Sequence, residues 1–394
     1  MIAFSNNIIS TFKIFFANIF ICLFLLAISS MPAIAKDRCS LRIGPLIKVM
    51  TRNLYVGADL FEIFSVDTSN PMNVPIAVSN VMNTVHDTNF PERAKALADE
   101  IDKLRPDLIG LQEVSLIRTQ SPGDFIYGNP SLAKDILYDY LEILLNALAD
   151  RGLNYEVAAM VNNADMELPV LVSFPGETAL FDDVRLTDRD VILKRSNIIT
   201  SNITAKNYTD NLLDFTRGFV AVDAKIGKRS YRVINTHLEV QGEGYEMIQS
   251  LQAKELMAEL EYETLPVILI GDFNSSPQDA ATQQPYSIIR ENGFIDIWKR
   301  SFWHSSPGYT CCQEADLLNK MSVLYERIDL IFVRNNCGHL PFSPLGPVFA
   351  VVTGNNKRGK SESGLWPSDH AGLNAWLWIP KLRCKKPSFC CENP

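Results

Sequence analysis

Six stretches of this 394-residue chain put chemically capable side chains at the edge of apolar runs: Asn53, Glu113, Asn235-Thr236-His237, Asp272 with Asn274, Asp329, and Ser368-Asp369-His370. Carboxylates accompanied by amides suit Mg²⁺ or Mn²⁺, hard cations that take oxygen ligands and keep part of their hydration shell. Zinc asks for a His or Cys cluster, and no spacing in the sequence supplies one. A carboxylate beside an imidazole fixes its tautomer and raises its basicity, so His237 and His370 are candidates for acid–base work. Asp329 sits inside an apolar run, where an unpaired buried carboxylate is costly, so it needs a partner. Each residue alone has a plainer explanation: Asp272 and Asn274 cap a turn, Glu113 is a solvated strand end, His237 is a satisfied core histidine. His86, His304 and His339 lack comparable settings and are read as structural.

The elements that must position these groups follow from periodicity. Val267-Ile268-Leu269-Ile270 before Gly271 reads as a fully buried strand, so Asp272 and Asn274 fall at its carboxyl end, where open α/β sheets bind ligands. Residues 46–53 read as a first strand ending at Asn53. Helices are expected over 71–85 and 91–104, the second stopped by Arg105-Pro106, and Asp107 to Glu113 is a short strand. A parallel pairing of these two strands would set Asn53 and Glu113 on one edge. Residues 115–130 read as a turn-rich loop and 132–148 as a helix stopped near Gly152. Strands are expected over 155–161, 178–184, 190–194, 218–226 and 230–238, the last two joined as a hairpin through Gly227-Lys228. A helix over 246–262 leads into the central strand, and strands over 327–333, 348–352 and 373–379 complete the series. No Gly/Ser-rich or Pro-rich linker divides them.

Composition narrows the class. With 47% hydrophobic and 21% charged residues the chain is globular, and its net charge of −8 lacks the broad basic footprint of a protein that grips duplex nucleic acid through many phosphates. A bound cation can still reverse the sign locally. Ile14 to Met31 carries no charge, Lys13 precedes it, and Ala33-Ile34-Ala35 supplies small residues before Lys36, the pattern of a secretory signal peptide over 1–35. An uncleaved anchor is the other reading; both export the rest, to the periplasm, the cell surface or the medium. Setting aside Cys22 of the eight cysteines leaves seven, expected to form disulfides in an exported chain. The pairings read are Cys311 or Cys312 with Cys337, and Cys39 with a cysteine of the tail over 381–394.

Taken in order, the segments Leu111-Gln112-Glu113-Val114, Asn235-Thr236-His237-Leu238, Gly271-Asp272-Phe273-Asn274, Arg327-Ile328-Asp329-Leu330-Ile331-Phe332 and Ser368-Asp369-His370 resemble the endonuclease/exonuclease/phosphatase superfamily, the DNase I-like metal-dependent phosphohydrolases. The resemblance runs from about Ile47 to Trp378. It implies an α/β fold, a four-layer sandwich of two central mixed sheets flanked by helices, in one domain over 36–380. It also implies that Glu113 holds a divalent cation, Mg²⁺ or Mn²⁺, with Asn53 and Asp369 near it. By the same analogy Asp329 orients His370, His237 and Asn274 contact the scissile phosphate, and Asp272 positions or deprotonates the attacking water. The general base stays open between Asp272 and His370, as does the choice of one or two metals. Arg217, in Phe215-Thr216-Arg217-Gly218, is either a phosphate contact or a surface salt-bridge partner.

Substrate is less constrained. Leu324-Tyr325-Glu326-Arg327 lacks the Trp-Cys of the inositol polyphosphate phosphatases, and an exported chain does not fit intracellular abasic-site repair. Two substrates remain, nucleic acid or a phospholipid headgroup as in bacterial sphingomyelinases. The second would bring peripheral membrane contact through Phe302-Trp303 or Leu365-Trp366. A monomer is expected. A non-hydrolytic binding protein on the same fold is the alternative from another class, and the presence of every polar position argues against it.

Overall fold

Two-residue alternation decides the architecture. In β2 (Leu46–Asn53) Ile47 and Val49 face one core while Met50 faces another, and in β3 (Leu108–Gln112) Leu108 joins the first while Ile109 and Leu111 join the second. Strands apolar on both faces must be covered on both. The computed structural model describes residues 39–128, 131–174, 178–211, 215–242, 244–278, 284–301, 306–336 and 345–384. The leader over 1–35 and the cysteines at 337, 390 and 391 lie outside them. No helix among the described residues is long and apolar enough to cross a membrane.

One sheet runs in the order β14 (Val348–Thr353), β15 (Gly372–Trp378), β2, β3, β7 (Leu180–Arg195), β4 (Leu116–Gln120) and β5 (Asp135–Asp139), with β6 (Tyr155–Ser173) paired along β7. The other runs β12 (Ile295–Asp296), β13 (Asp329–Arg334), β11 (Val267–Asp272), β10 (Arg229–His237), β9 (Gly218–Ile226) and β8 (Ile199–Asn207). Their facing sides interlock through Ile47, Val49, Leu108, Val220, Val222, Val233, Ile268, Ile270 and Ile331. Helices α2 (Asn73–Asp87), α3 (Phe90–Leu104) and α4 (Tyr140–Ala149) cover the outer face of the larger sheet, and the short α1 (Phe61–Phe64) precedes them. Helices α5 (Glu246–Glu259) and α6 (Pro285–Glu291) cover the smaller sheet, and α7 (Ile297–Arg300) adds Ile297 and Trp298 to the central layer. Helix, sheet, sheet and helix form the expected four layers, and the expected parallel pairing of β2 with β3 is present.

The inter-sheet layer is not wholly apolar. Asn235 donates from Nδ2 to the carbonyls of Leu111 at 2.8 Å and Val191 at 3.2 Å, and its Oδ1 accepts from Gln112. Gly110 makes room for it, since a Cβ there would stand 2.4 Å from Asn235 Oδ1. Asn235 therefore stitches the sheets together, a structural task separate from that of His237 two residues on.

Four expectations need correction. Residues 115–130 are not loop throughout: Leu116–Gln120 is strand β4, held between β7 and β5. Residues 132–148 are not one helix: Asp135–Asp139 is an edge strand on β4, and α4 starts only where Asp139 caps it by accepting from Leu141 N at 3.0 Å. The segments 178–184 and 190–194 are one strand, β7. Its polar middle is held by partners on β6, with Arg185 paired to Asp165 and Asp188 bonded to Asn163 at 3.1 Å, so the apparent break is a stretch of cross-strand pairing. Finally, β8 was missed because an edge strand with few buried side chains has no apolar signal. The tail begins inside the fold: β16 (Lys381–Cys384) pairs with β1 (Cys39–Arg42), and the register sets Cys39 opposite Cys384.

Candidate active site

The polar groups continue the inward phase of their strands. Asn53 follows Val49 and Thr51, His237 follows Val233 and Asn235, Asp272 follows Ile268 and Ile270, and Asp329 precedes Ile331 and Val333. A period of two thus carries each side chain into the gap between the sheets at one rim. Register does the rest: His237 is paired with Asp272, and Asp272 with Asp329, so three adjacent strands present them in a row. Gly271 permits this close pairing, because a Cβ there would meet Thr236 O at 2.1 Å.

The larger sheet contributes loops. Asn53 Nδ2 donates to Glu113 Oε1 at 2.8 Å and to Asp272 Oδ2 at 3.1 Å, bridging the two sheets, while its Oδ1 accepts from Tyr55 N at 2.9 Å. The amide oxygen is thus already engaged, and Asn53 fastens Glu113 to Asp272. Glu113 Oε2 accepts from Val56 N at 2.9 Å. Tyr55, Glu113 and Asn274 all have left-handed φ, at 62°, 54° and 46°. Backbone strain gathers at functional sites, where surrounding contacts over-determine it.

His370 Nδ1 stands 2.8 Å from Asp329 Oδ2 and 3.7 Å from Asp272 Oδ2, and His237 Nε2 is also 3.7 Å from Asp272 Oδ2. Asp272 is therefore flanked by both imidazoles. Asn274 Nδ2 lies 3.2 Å from His237 Nε2 and donates to Leu238 O at 3.0 Å. Arg217 is buried, so the surface salt-bridge reading fails. Its guanidinium meets His237 Nδ1 at 3.1 Å and Glu239 at 3.3 Å, and its Nε has no partner among the described residues. Asp369, half-buried, is held near the rim by Ser368 Oγ at 3.3 Å.

Electrostatics separates the histidines. Burial, then the nearby Arg217 and His370 charges, push His237 well below the ordinary imidazole range, so it is neutral. Burial also opposes charge on His370, but Asp329, Asp369 and Asp272 outweigh it and hold this imidazole well above that range. Burial and the charge of Asp369 push Glu113 up to about 7, and burial with Asp329 pushes Asp272 up to about 6. Asp369 is raised by burial as well.

So many acids raised at one rim mark a site short of positive charge. Asp272, Asp329 and His370 each offer a ligand atom within 4.8 Å of one another, and the buried Asp329 Oδ1 has no partner among the described residues. His370, held charged by its neighbouring carboxylates, cannot ligate while it keeps that proton, so the oxygen pair that fits a hard divalent cation is Glu113 with Asp369, whose charge raises Glu113.

Several supporting residues escaped sequence reading. Arg93 on α3 is fully buried and donates to four backbone carbonyls, those of Thr88, Leu54, Pro367 and Tyr55, tying the Asn53 loop to the Ser368 loop. Arg52 joins Glu100 at 3.3 Å to the carbonyl of His370. A signal existed for Arg93: it lies four residues before Leu97, on the apolar face of its helix. Asp188 and Asp190, both buried and bonded to Asn163, are raised by burial, Asp190 strongly so. Of the aromatic pairs, Leu365 and Trp366 are buried and cannot meet a membrane, and Phe302-Trp303 lies outside the described residues.

Comparison with known proteins agrees with this geometry. Among solved structures, an endonuclease/exonuclease/phosphatase family protein from Bacteroides thetaiotaomicron is similar over 85% of this chain and 98% of its own, with TM-score 0.51 and 15% identity. One from Leptotrichia buccalis has TM-score 0.51 and 15% identity over 84% and 99%. A mannosyl-6-phosphatase from Bacteroides thetaiotaomicron has TM-score 0.50 and 16% identity over 84% and 99%. At such identities the likeness is one of fold. No curated protein matches the sequence. The model of the Endonuclease/Exonuclease/phosphatase family matches residues 80–370, most of the chain, and the protein belongs to that family of phosphoester hydrolases.

Proposed function

We propose that this protein is an exported, divalent-metal-dependent phosphodiesterase that cleaves P–O bonds in nucleic acid or in a phospholipid headgroup. The observation that carries the reading is the His237, Asp272, Asp329 row across three strands in register, with His370 on Asp329 and Glu113 joined to the row through Asn53. Export is supported by the uncharged stretch Ile14 to Met31 and the Ala33-Ile34-Ala35 sequence after it.

Glu113 and Asp369 would hold Mg²⁺ or Mn²⁺, with Asn53 orienting Glu113. When bound, the cation neutralises phosphate charge and polarises the P–O bond. The chain's own groups do the remaining work. Asp272 Oδ2, between the two imidazoles, accepts the proton of the attacking water. His370, charged and steered by Asp329, donates toward the phosphoryl oxygens as negative charge develops. Neutral His237, with the Arg217 guanidinium at its Nδ1 and the Asn274 amide Nδ2 at its Nε2, keeps these two donor groups beside the phosphate position. The unpartnered Arg217 Nε–H adds a buried donor close by.

The test is turnover of bis(p-nitrophenyl) phosphate with Mg²⁺ or Mn²⁺ against an EDTA control, alongside plasmid nicking and sphingomyelin hydrolysis. Metal-dependent turnover of the first with one of the other two supports the reading and assigns the substrate. Absence of metal-dependent turnover on all three overturns it in favour of a binding protein on this fold.

A further inference from the structure

The segment Thr310–Gln313 is wedged between the two strands of chain that carry the Asp329–His370 pair. On one side Thr310 Oγ1 accepts from Asp329 N at 3.1 Å, and the Cys311 carbonyl accepts from Tyr325 N at 2.7 Å. On the other, Gln313 N donates to Asp369 O and Ala371 N to Thr310 O, each at 2.7 Å. These bonds press Cys311 and Cys312 against His370. The two sulfurs are joined to each other, in place of the pairing with Cys337 expected from sequence, and both sulfurs and a ring nitrogen of His370 lie within 4.8 Å of one another. Cys311 is buried at 4% exposure, whereas Cys312 is half-buried and open to a reductant.

Two sulfurs and an imidazole form a soft donor set, unlike the oxygen-rich set a short distance away. A tetrahedral zinc ion with bonds of about 2.0–2.3 Å sets its donors roughly 3.5–3.8 Å apart, a spacing the two sulfurs can take only once their bond is opened, with the His370 ring nitrogen already within 4.8 Å of both. The outer contact is present too. Metal-bound histidines usually give their second ring N–H to a carboxylate, and His370 Nδ1 already meets Asp329 Oδ2 at 2.8 Å, which leaves Nε2 as the ligand. Sequence spacing hid this cluster because His370 comes from a distant segment.

We propose that the Cys311–Cys312 pair, once reduced, forms with His370 a site for a thiophilic divalent ion of the Zn²⁺ class, and that filling it takes His370 away from the phosphoester site. Opening the pair takes two electrons and two protons from an external dithiol, which closes its own disulfide and leaves two thiols. Zinc binding then releases both thiol protons and the His370 imidazolium proton to solvent, and water completes the coordination. The disulfide form has no such site and retains His370 for hydrolysis. The inhibitory half rests on the hydrolase reading above; the binding half does not.

The experiment compares oxidised protein, protein reduced with dithiothreitol and desalted, and the C311S/C312S variant treated alike, so that the remaining cysteines are common to both chains. Zn²⁺ stoichiometry is read by competition with a chromogenic chelator, and Co²⁺ by its thiolate charge-transfer band. Reduced wild type should bind one more equivalent of Zn²⁺ than the reduced variant, show the band, and lose at least tenfold in affinity on H370Q. Added Zn²⁺ should suppress Mg²⁺-dependent bis(p-nitrophenyl) phosphate turnover at least tenfold in reduced wild type and less than twofold in C311S/C312S. Equal Zn²⁺ binding by reduced wild type and variant overturns the proposal. The extra equivalent with no turnover in any form supports the site and removes the hydrolase reading instead. C312S alone, altering only the half-buried cysteine, gives the same comparison should the double variant unfold.

Discussion

The two sheets equip the rim of the sandwich in different ways. The smaller sheet sets His237, Asp272 and Asp329 directly from paired strands, so their spacing is fixed by the hydrogen-bond ladder itself. From the larger sheet Asn53 comes at a strand end, but Glu113, Asp369 and His370 come from loops beyond the strands, held by Arg93, Arg52 and left-handed turns. Ladder-fixed groups suit a phosphoryl centre that needs donors pre-set to within a fraction of an ångström. Loop-held carboxylates suit a cation whose ligands must close around it. The contrast predicts that changes on the smaller sheet remove chemistry while leaving the frame, and that changes on the larger side loosen the frame or the cation.

The largest effect should come from the ladder side and from the loop-borne His370, which Asp329 of that ladder holds. Asp272→Ala or His370→Ala should lower the hydrolytic rate by about 10³-fold, as expected for loss of an acid–base or charge-stabilising group, with the circular dichroism spectrum unchanged. Activity close to wild type in both would erase the division of labour. Next is Arg93→Met, which leaves four backbone carbonyls without their buried donor and should destabilise the protein by about 3 kcal/mol in denaturant titration. A cost below about 0.5 kcal/mol would mean that the loops do not depend on this arginine.

A smaller effect is expected at the cation. Glu113→Gln should raise the Mg²⁺ midpoint of turnover by about tenfold, the scale of losing one group at a metal site. An unchanged midpoint would move the ligand assignment elsewhere. The subtlest is pH. Glu113 at about 7 and Asp272 at about 6 must give up protons before a cation can bind, so Mg²⁺ affinity should rise from pH 6 to pH 8 by about tenfold and flatten above. Glu113→Gln should remove most of that slope in isothermal titration, and an equal slope in both proteins would assign it to other groups.

What could be read from sequence follows the same divide. Strand β11 announces itself by uninterrupted apolar residues and β10 by the hairpin turn at Gly227-Lys228, so Asp272 and His237 could be placed before any contact was known. The parallel edge bearing Asn53 and Glu113 was legible from the strand, helix, strand order. By contrast, the work of Arg52, Arg93 and Tyr55 depends on carbonyls and carboxylates far away in sequence, and a lone buried arginine leaves only a faint mark in a helical pattern. The polar middle of β7 was read as a break because its partners, Asp165 and Asn163, lie on another strand. Cys311 and Cys312 looked like half of a longer-range bridge, since adjacency in sequence says nothing about the histidine folded onto them.

The central claim is that one rim holds a cation and a phosphoryl group together. Inorganic phosphate observed by ³¹P NMR, with Mn²⁺ as a paramagnetic cation, tests it without requiring turnover. The phosphate line should broaden with wild-type protein beyond a protein-free control and return to that control with Glu113→Gln at the same Mn²⁺ concentration. Equal broadening in the two proteins would contradict a shared site.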